Sequence, residues 1–364
     1  MDTPRSATSH VISTLASSGL AGRTNTASDV RGLGWPPSPA AEGEPLLLVR
    51  LDDHLGSSQG DPQATAMRRA SPAGERALIL GGGGSAGNAW LIGVTAGLID
   101  AGLELCRADL IVGTSAGATA ATQIAWTAPA DLLSAILSTA PQQPPPAQSD
   151  RGRAATGSGT NHLERTNRII AAAKDAADMR RRIGAAALEL EATSDGAWSA
   201  RWRKTVAARL PEQRWPDRAM LITAVDAHTG EPVVFDRRSG VDLVDAVAAS
   251  TSSGLPYRIG DRRYIDGGYR RNENADLACH YERVLVLSPL GGRTRHPLSW
   301  GMQLAAQADD LRASGSSVES ILPDADSLDA FGTNLMDLST RPPAARAGYQ
   351  LGRTLAARLA GWWR

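Results

Sequence analysis

Cysteine is scarce in this chain: only Cys106 and Cys279 occur in 364 residues. That excludes a disulfide framework as the basis of the fold, permits a reducing compartment, and leaves both thiols to be read as small core residues. An excess of charge of one sign is missing too. The 38 basic and 38 acidic residues cancel to a formal net charge of zero, so nothing in the global electrostatics argues for a nucleic acid partner. The N-terminus lacks the pattern of a basic start, an apolar stretch and a small-residue cleavage site, which points to a cytoplasmic protein. No grouping of Cys with His, or of carboxylates, has the spacing of a metal site, and neither a metal nor an organic cofactor is expected.

What is present suffices for a large core, since 42% of the residues are hydrophobic. One run, Ala77 to Ile99, is 23 residues long without a charge, long enough by count to span a bilayer. Its composition argues against a span. Gly81 to Gly84, Gly87, Gly93, Gly97, Ser85 and Asn88 interrupt it, and its first residues have the character of a strand.

Residues 1–72 are rich in Ser, Gly, Pro, Ala and Thr and are expected to form a disordered extension before a catalytic domain over residues 73–364. Within that domain Arg76 to Leu80 predicts a strand, then a glycine loop, then a helix over Asn88 to Ala101. The unit repeats, with a strand over Ala108 to Val112, a tight turn, and a helix over Ala118 to Trp126. Such alternation predicts a parallel α/β sheet whose loops gather at the carboxyl ends of the strands, where ligands bind. Pro141 to Thr160 predicts an exposed loop, and residues 161–215 a helical cap. Met220 to Val225 and Pro232 to Phe235 predict a hairpin, Asp242 to Ala249 a helix, Tyr264-Ile265 a short strand and Arg283 to Leu287 a buried one. The remainder is expected to be mainly helical.

Three motifs carry chemistry. Gly113-Thr114-Ser115-Ala116-Gly117 would hold Ser115 on a strained strand-to-helix corner, as a serine nucleophile requires. Gly81 to Gly84, with Ser85, Ala86 and Gly87, would turn several backbone N–H groups into one cavity, which suits an oxyanion hole. The same stretch contains Gly82-x-Gly84-x-x-Gly87, the dinucleotide fingerprint, but the next strand ends in Gly113-Thr114-Ser115 rather than in an acid. Asp266 closes a short apolar strand before Gly267 and Gly268, either an ordinary Asp-Gly turn or a carboxylate fixed for use as a base.

In this order the three motifs resemble the patatin-like phospholipase family, whose signature is a glycine-rich oxyanion loop, Gly-x-Ser-x-Gly, and Asp-Gly-Gly or Asp-Gly-Ala. Ala248 to Pro256 and Asn274-Ala275-Asp276 resemble the family's stretches before and after the aspartate. The resemblance implies a three-layer α/β/α fold with a mainly parallel sheet, a Ser115–Asp266 dyad without histidine, and an oxyanion hole from Gly82, Gly83 and Gly84. It implies a lipid or other acyl ester as substrate. The sequence departs from the pattern at Ala86, where many members carry Arg or Lys, which puts in question how substrate or charge is placed there.

Alternatives remain at this level. His280 or His296, both after Asp266, could complete a Ser, acid, His order. A soluble carboxylesterase or thioesterase of the same fold, or a non-catalytic nucleotide- or lipid-binding module that keeps the glycine loop, fits the same motifs. Residues 341–364 hold five arginines and no acid, with Leu351, Leu355, Leu359 and Trp362 on one helical face. That pattern suits either a peripheral membrane contact or a helix packed on the core.

Overall fold

A computed structural model describes residues 74–105, 108–138 and 153–364. The expected extension over 1–72 and Cys106 lie outside the described residues, as does the expected loop as far as residue 152.

Eight strands form one sheet: β1 (Arg76–Leu80), β2 (Leu110–Gly113), β3 (Ala219–Asp226), β4 (Pro232–Phe235), β5 (Tyr257–Ile259), β6 (Arg262–Asp266), β7 (Arg283–Leu287) and β8 (Ser317–Ile321). The order is β5-β6-β3-β2-β1-β7-β8, with β4 also paired to β3. The sheet is mixed, not mainly parallel. β3, β2, β1, β7 and β8 run parallel, whereas β4 and β6 run antiparallel to β3, and β5 antiparallel to β6. β3 and β4, and β5 and β6, are joined by short turns with no crossover helix, and only antiparallel pairing is open to such neighbours. β8 was hidden in a stretch read as helical because it is an edge strand in which only Val318 and Ile321 are buried.

Alternation along the strands sends side chains into two cores. Leu78, Leu80, Ile111, Leu285 and Leu287 face α1 (Gly84–Asp100), α2 (Ala116–Trp126), α7 (Leu243–Ser250) and α10 (Arg341–Trp363). Ala77, Ile79, Leu110, Val112 and Val286 face Leu277 and α8 (Leu304–Ala313). The three layers follow directly from period two in the strands. A third cluster joins Ile170 of α4 (Arg153–Ala172) and Met179 and Ile183 of α5 (Ala176–Ala192) to Val225 and Ile265 of the sheet. α6 (Trp198–Ala207) follows these, and α3 (Pro129–Ser138) and α9 (Ala325–Phe331) complete the helices of the described residues. α4 begins at Arg153, inside the stretch expected to be loop. Its packed C-terminal half holds Ile170, and extending a formed helix is far easier than nucleating one.

The uncharged run is strand β1, a short glycine loop and α1, which starts at Gly84 rather than at Asn88. Every residue of α1 from Ala86 to Leu98 is buried, so its apolar circumference serves a core and not a bilayer. No helix among the described residues is long and apolar enough to cross a membrane. α10 lies against α1 through reciprocal glycines. A Cβ on Gly93 would come within 2.1 Å of Ala345 O, and one on Gly352 within 2.4 Å of Val94 O. The tail, whose pattern suits either a membrane contact or a helix packed on the core, has its apolar residues turned inward: Leu359 and Trp363 are each 1% exposed, and Leu351, Leu355 and Trp362 pack on the same core. Arg358 pairs with Glu319 at 2.7 Å on the outer side.

Two outcomes follow for denaturation experiments. Gly93→Val should destabilise the domain by about 3 kcal/mol or more through backbone clash, whereas Gly361→Ala, with nothing within 4 Å, should be neutral or slightly stabilising. Deleting residues 344–364 uncovers α1 and is expected to abolish the cooperative unfolding transition.

Candidate active site

The antiparallel turn of the sheet brings the two key side chains together. Gly113 at the end of β2 pairs with Ile222 of β3, and β3 runs on beyond that level. β6 comes back along this overhang, with Asp266 opposite Ala224. Two residues past Gly113 on one strand and two past Ile222 on the other reach the same height, about 7 Å beyond the last β2 pair. Ser115 and Asp266 meet there, and the Ser115 hydroxyl donates to Asp266 Oδ2 at 2.8 Å.

Ser115 occupies a corner. Its φ of 52° and ψ of −114° are costly for a residue with a side chain, by roughly 1–3 kcal/mol, and the surroundings hold it there. Its N–H donates to Ser250 Oγ at 2.9 Å. Gly117 lets α2 close on β1, since a Cβ there would lie 1.9 Å from Leu80 O. Ser115 is also the N-cap of α2, where the positive end of the helix dipole favours negative charge.

Asp266 is fixed as firmly. Its N–H donates to Ser252 O at 2.9 Å, and its Oδ1 accepts from Gly268 N–H at 2.8 Å. Burial pushes its carboxyl up to about 6, while the Gly268 N–H and the Ser115 hydroxyl pull the other way. Asn274 ties the two motifs together: its Nδ2 donates to Thr114 Oγ1 at 2.9 Å and reaches Gly267 O at 3.4 Å, and its Oδ1 accepts from Arg270 at 2.6 Å. Arg270 is in turn held by Asp276, with Nη1 to Oδ1 at 2.9 Å. The stretches 248–256 and 274–276 thus brace the Ser115–Asp266 pair.

The glycine loop runs beside Ser115, with a Cβ on Gly82 reaching 3.8 Å from Ser115 Cβ. The three glycines are not equivalent. Gly82 N–H donates to Asn272 O at 2.9 Å, which removes it from the donors expected to be open. Gly83 and Gly84 N–H have no partner among the described residues. Gly84 sits at φ +64°, with Leu335 O 2.9 Å from where a Cβ would be, so only glycine fits. Ala86 is buried and its N–H donates to Leu335 O at 2.9 Å.

One buried acid near the loop carried no sequence signal. Glu273 lies against Gly81, accepts from Ser288 Oγ at 2.7 Å, and is pushed up to about 7 by burial. Neither histidine that could complete a triad, His280 or His296, bonds Ser115 or Asp266. His296 Nδ1 is 2.8 Å from Thr294 Oγ1, its ring stacks on Trp300, and burial with Arg295 and Arg180 lowers it to about 4. His280 and His228 are exposed. Among the described residues no three His, Cys, Asp or Glu side chains are placed to hold a metal ion. A hydroxyl bonded directly to a carboxylate, next to unpaired N–H groups and a helix N-terminus, is an arrangement suited to nucleophilic attack on a carbonyl.

No curated protein matches the chain. Among solved structures, the crystal structure of VipD from Legionella pneumophila is similar at 12% identity over 79% of this chain and 67% of that one. Its TM-score of 0.32 is too low to bear on the site. The family model described as patatin-like phospholipase matches residues 78–279, over half of the chain, and spans the glycine loop, Ser115 and Asp266; the chain belongs to the patatin-like phospholipase family.

Proposed function

We propose that the protein is a lipid acyl hydrolase of the phospholipase A or lysophospholipase type, cleaving carboxylic esters by a Ser115–Asp266 dyad through an acyl-enzyme. Membership of the family supports lipid acyl hydrolysis in general. The observation that carries the finer reading is the 2.8 Å hydrogen bond from Ser115 Oγ to Asp266 Oδ2, made with no histidine between them.

In this reading Ser115 Oγ attacks the ester carbonyl as its proton passes to Asp266. The oxygen that becomes negative is received by the N–H groups of Gly83 and Gly84, each such donor being worth on the order of a hundred- to a thousandfold in rate. Collapse of the tetrahedral intermediate breaks the ester C–O bond, and Asp266 returns its proton to the departing alcohol. Water then attacks the acyl-serine, giving its proton to Asp266, and the second collapse releases the acid and restores the Ser115 hydroxyl. A carboxyl near 6 is ionised at neutral pH yet more basic than an ordinary aspartate, which suits both halves of the cycle. A small cleft lined by His162, Arg165, Ile169, Ile183, Ile265 and Tyr269 opens beside β6.

Fluorophosphonate labelling tests the reading: wild type should be labelled and Ser115→Ala should not, while an unlabelled but folded wild type would favour a binding module. Asp266→Asn should lower kcat by roughly a hundred- to ten-thousandfold. His296→Ala should keep most activity, and its loss in a folded variant would favour a histidine-based triad.

The pH dependence has a definite sign. The ionised dyad is required, so kcat/KM should rise with pH and level off above about 6. Stability should run the other way. The folded state holds the Asp266 proton more tightly than the unfolded chain, so its buried charge costs nothing below about 4 and its full amount above about 6. Asp266→Asn should therefore be more stable than wild type at neutral pH by on the order of 2–3 kcal/mol, with the gain vanishing in acid, as read by denaturation at several pH values.

A further inference from the structure

The mechanism makes no use of Glu273, a buried acid in the segment that runs from Asp266 back to the glycine loop. Its Oε1 accepts from the Ser288 hydroxyl at 2.7 Å, and its Oε2 lies 3.4 Å from Gln307 Nε2. Among the described residues no cation pairs with it. A carboxyl kept from water with only neutral donors is costly to hold, and loss of a donor leaves its oxygen unpaired.

What Glu273 joins is the seat of the glycine loop, which two chain segments provide. From the first, Asn272 O accepts from Gly82 N–H at 2.9 Å, and Glu273 Cγ stands 3.4 Å from where a Cβ on Gly81 would lie. From the second, which continues β7, Leu287 O accepts from Gly81 N–H at 3.0 Å. Pro289 of the same segment packs so closely that a Cβ on Gly83 or Gly87 would come within 2.6 or 3.0 Å of its own Cβ. The Ser288–Glu273 hydrogen bond clamps the two segments together. Ser288 Oγ accepts from Gly292 N–H at 2.9 Å, which leaves its own proton to go to Glu273. Gln307 of α8 anchors the junction, accepting from Ala275 N–H at 2.8 Å and donating to Met302 O at 3.1 Å. Asn272 Nδ2 also crosses, to Arg293 O at 2.9 Å, but Arg293 lies four residues beyond Pro289, whereas Ser288 is next to both Leu287 and Pro289.

We infer that Glu273 is a positioning residue for the oxyanion hole: through Ser288 it holds residues 272–273 and 287–289 against the glycine loop, and so sets where the N–H groups of Gly83 and Gly84 stand relative to Ser115. The inference rests on the reading of Ser115 as nucleophile and of those two groups as oxyanion donors. The role asks for an acceptor at Ser288, not for a charge.

Steady-state kinetics on an acyl ester give the first test. The oxyanion forms only after substrate is bound, so a displaced donor lowers kcat and leaves KM little changed. Glu273→Ala and Ser288→Ala should each lower kcat by about ten- to a hundredfold, and the double variant should fall no further than the slower single one, because both remove the same link. Glu273→Gln, which keeps an acceptor for Ser288, should return kcat to within about threefold of wild type. Should Glu273→Ala fail to fold, Ser288→Ala, which removes a single oxygen, decides. Wild-type kcat in folded Ser288→Ala, effects that multiply in the double variant, a loss that falls on KM, or a glutamine variant as slow as the alanine one would each overturn the inference. Hydrogen exchange supplies a readout that needs no turnover. In Ser288→Ala the amides of residues 81–87 should exchange faster than in wild type while those of 90–98 in α1 do not, and unchanged exchange at the loop would overturn the inference as well. If folded wild type hydrolyses no acyl ester, the hydrolase reading fails, and exchange at the loop alone decides whether Glu273 holds it.

Discussion

The hydrogen bond from Ser115 to Asp266 joins residues 151 positions apart, and much of the fold is arranged so that it can form. Ser115 stands two residues past the end of a parallel strand, while Asp266 ends one that runs the opposite way. Only the overhang of β3 beyond β2 brings those ends to one height. The antiparallel return of β6 along that overhang, in the register that sets Asp266 opposite Ala224, puts the carboxylate at the height of Ser115. The braces share this purpose, with Ser250 at the end of α7 and Ser252 just past it bonding the pair, and Asn274 bonding their neighbours Thr114 and Gly267.

Positioning of this kind has an energetic cost. Ser115 sits at a positive φ, and Asp266 is a carboxylate buried in a site that offers it only a backbone N–H and a hydroxyl. Both are the kind of local strain that active sites keep and a rigid surrounding must sustain. That surrounding is unusually close-packed here, since α1 and α10 meet backbone to backbone through Gly93, Gly97, Gly348 and Gly352. A helix that starts at the glycine loop and is clamped along its length gives Gly83 and Gly84 a fixed place relative to Ser115.

Much of this was legible in the sequence, because it rests on local pattern. Gly113 to Gly117, the glycines from 81 to 84 and Asp266-Gly267-Gly268 each sit at a strand end that a short apolar run marks out. What was not legible depends on distant partners. Nothing near Gly82 says that its N–H turns to Asn272, 190 residues on. Nothing in Arg341-Pro342-Pro343 says that the arginine will reach Ser85. The amphipathic pattern of 341–364 was real, but a pattern does not name its partner: the same leucines suit a lipid surface or a core, and the glycines of α1 decide for the core. β8 escaped because an edge strand with two buried side chains is hardly apolar.

The most direct measurement is mass spectrometry of the protein quenched in acid during turnover of an acyl ester, followed by peptide mapping. The account predicts an added acyl mass on the peptide that contains Ser115, forming as fast as the first alcohol is released. Turnover without that adduct, or an adduct at the same rate in Ser115→Ala, would contradict it.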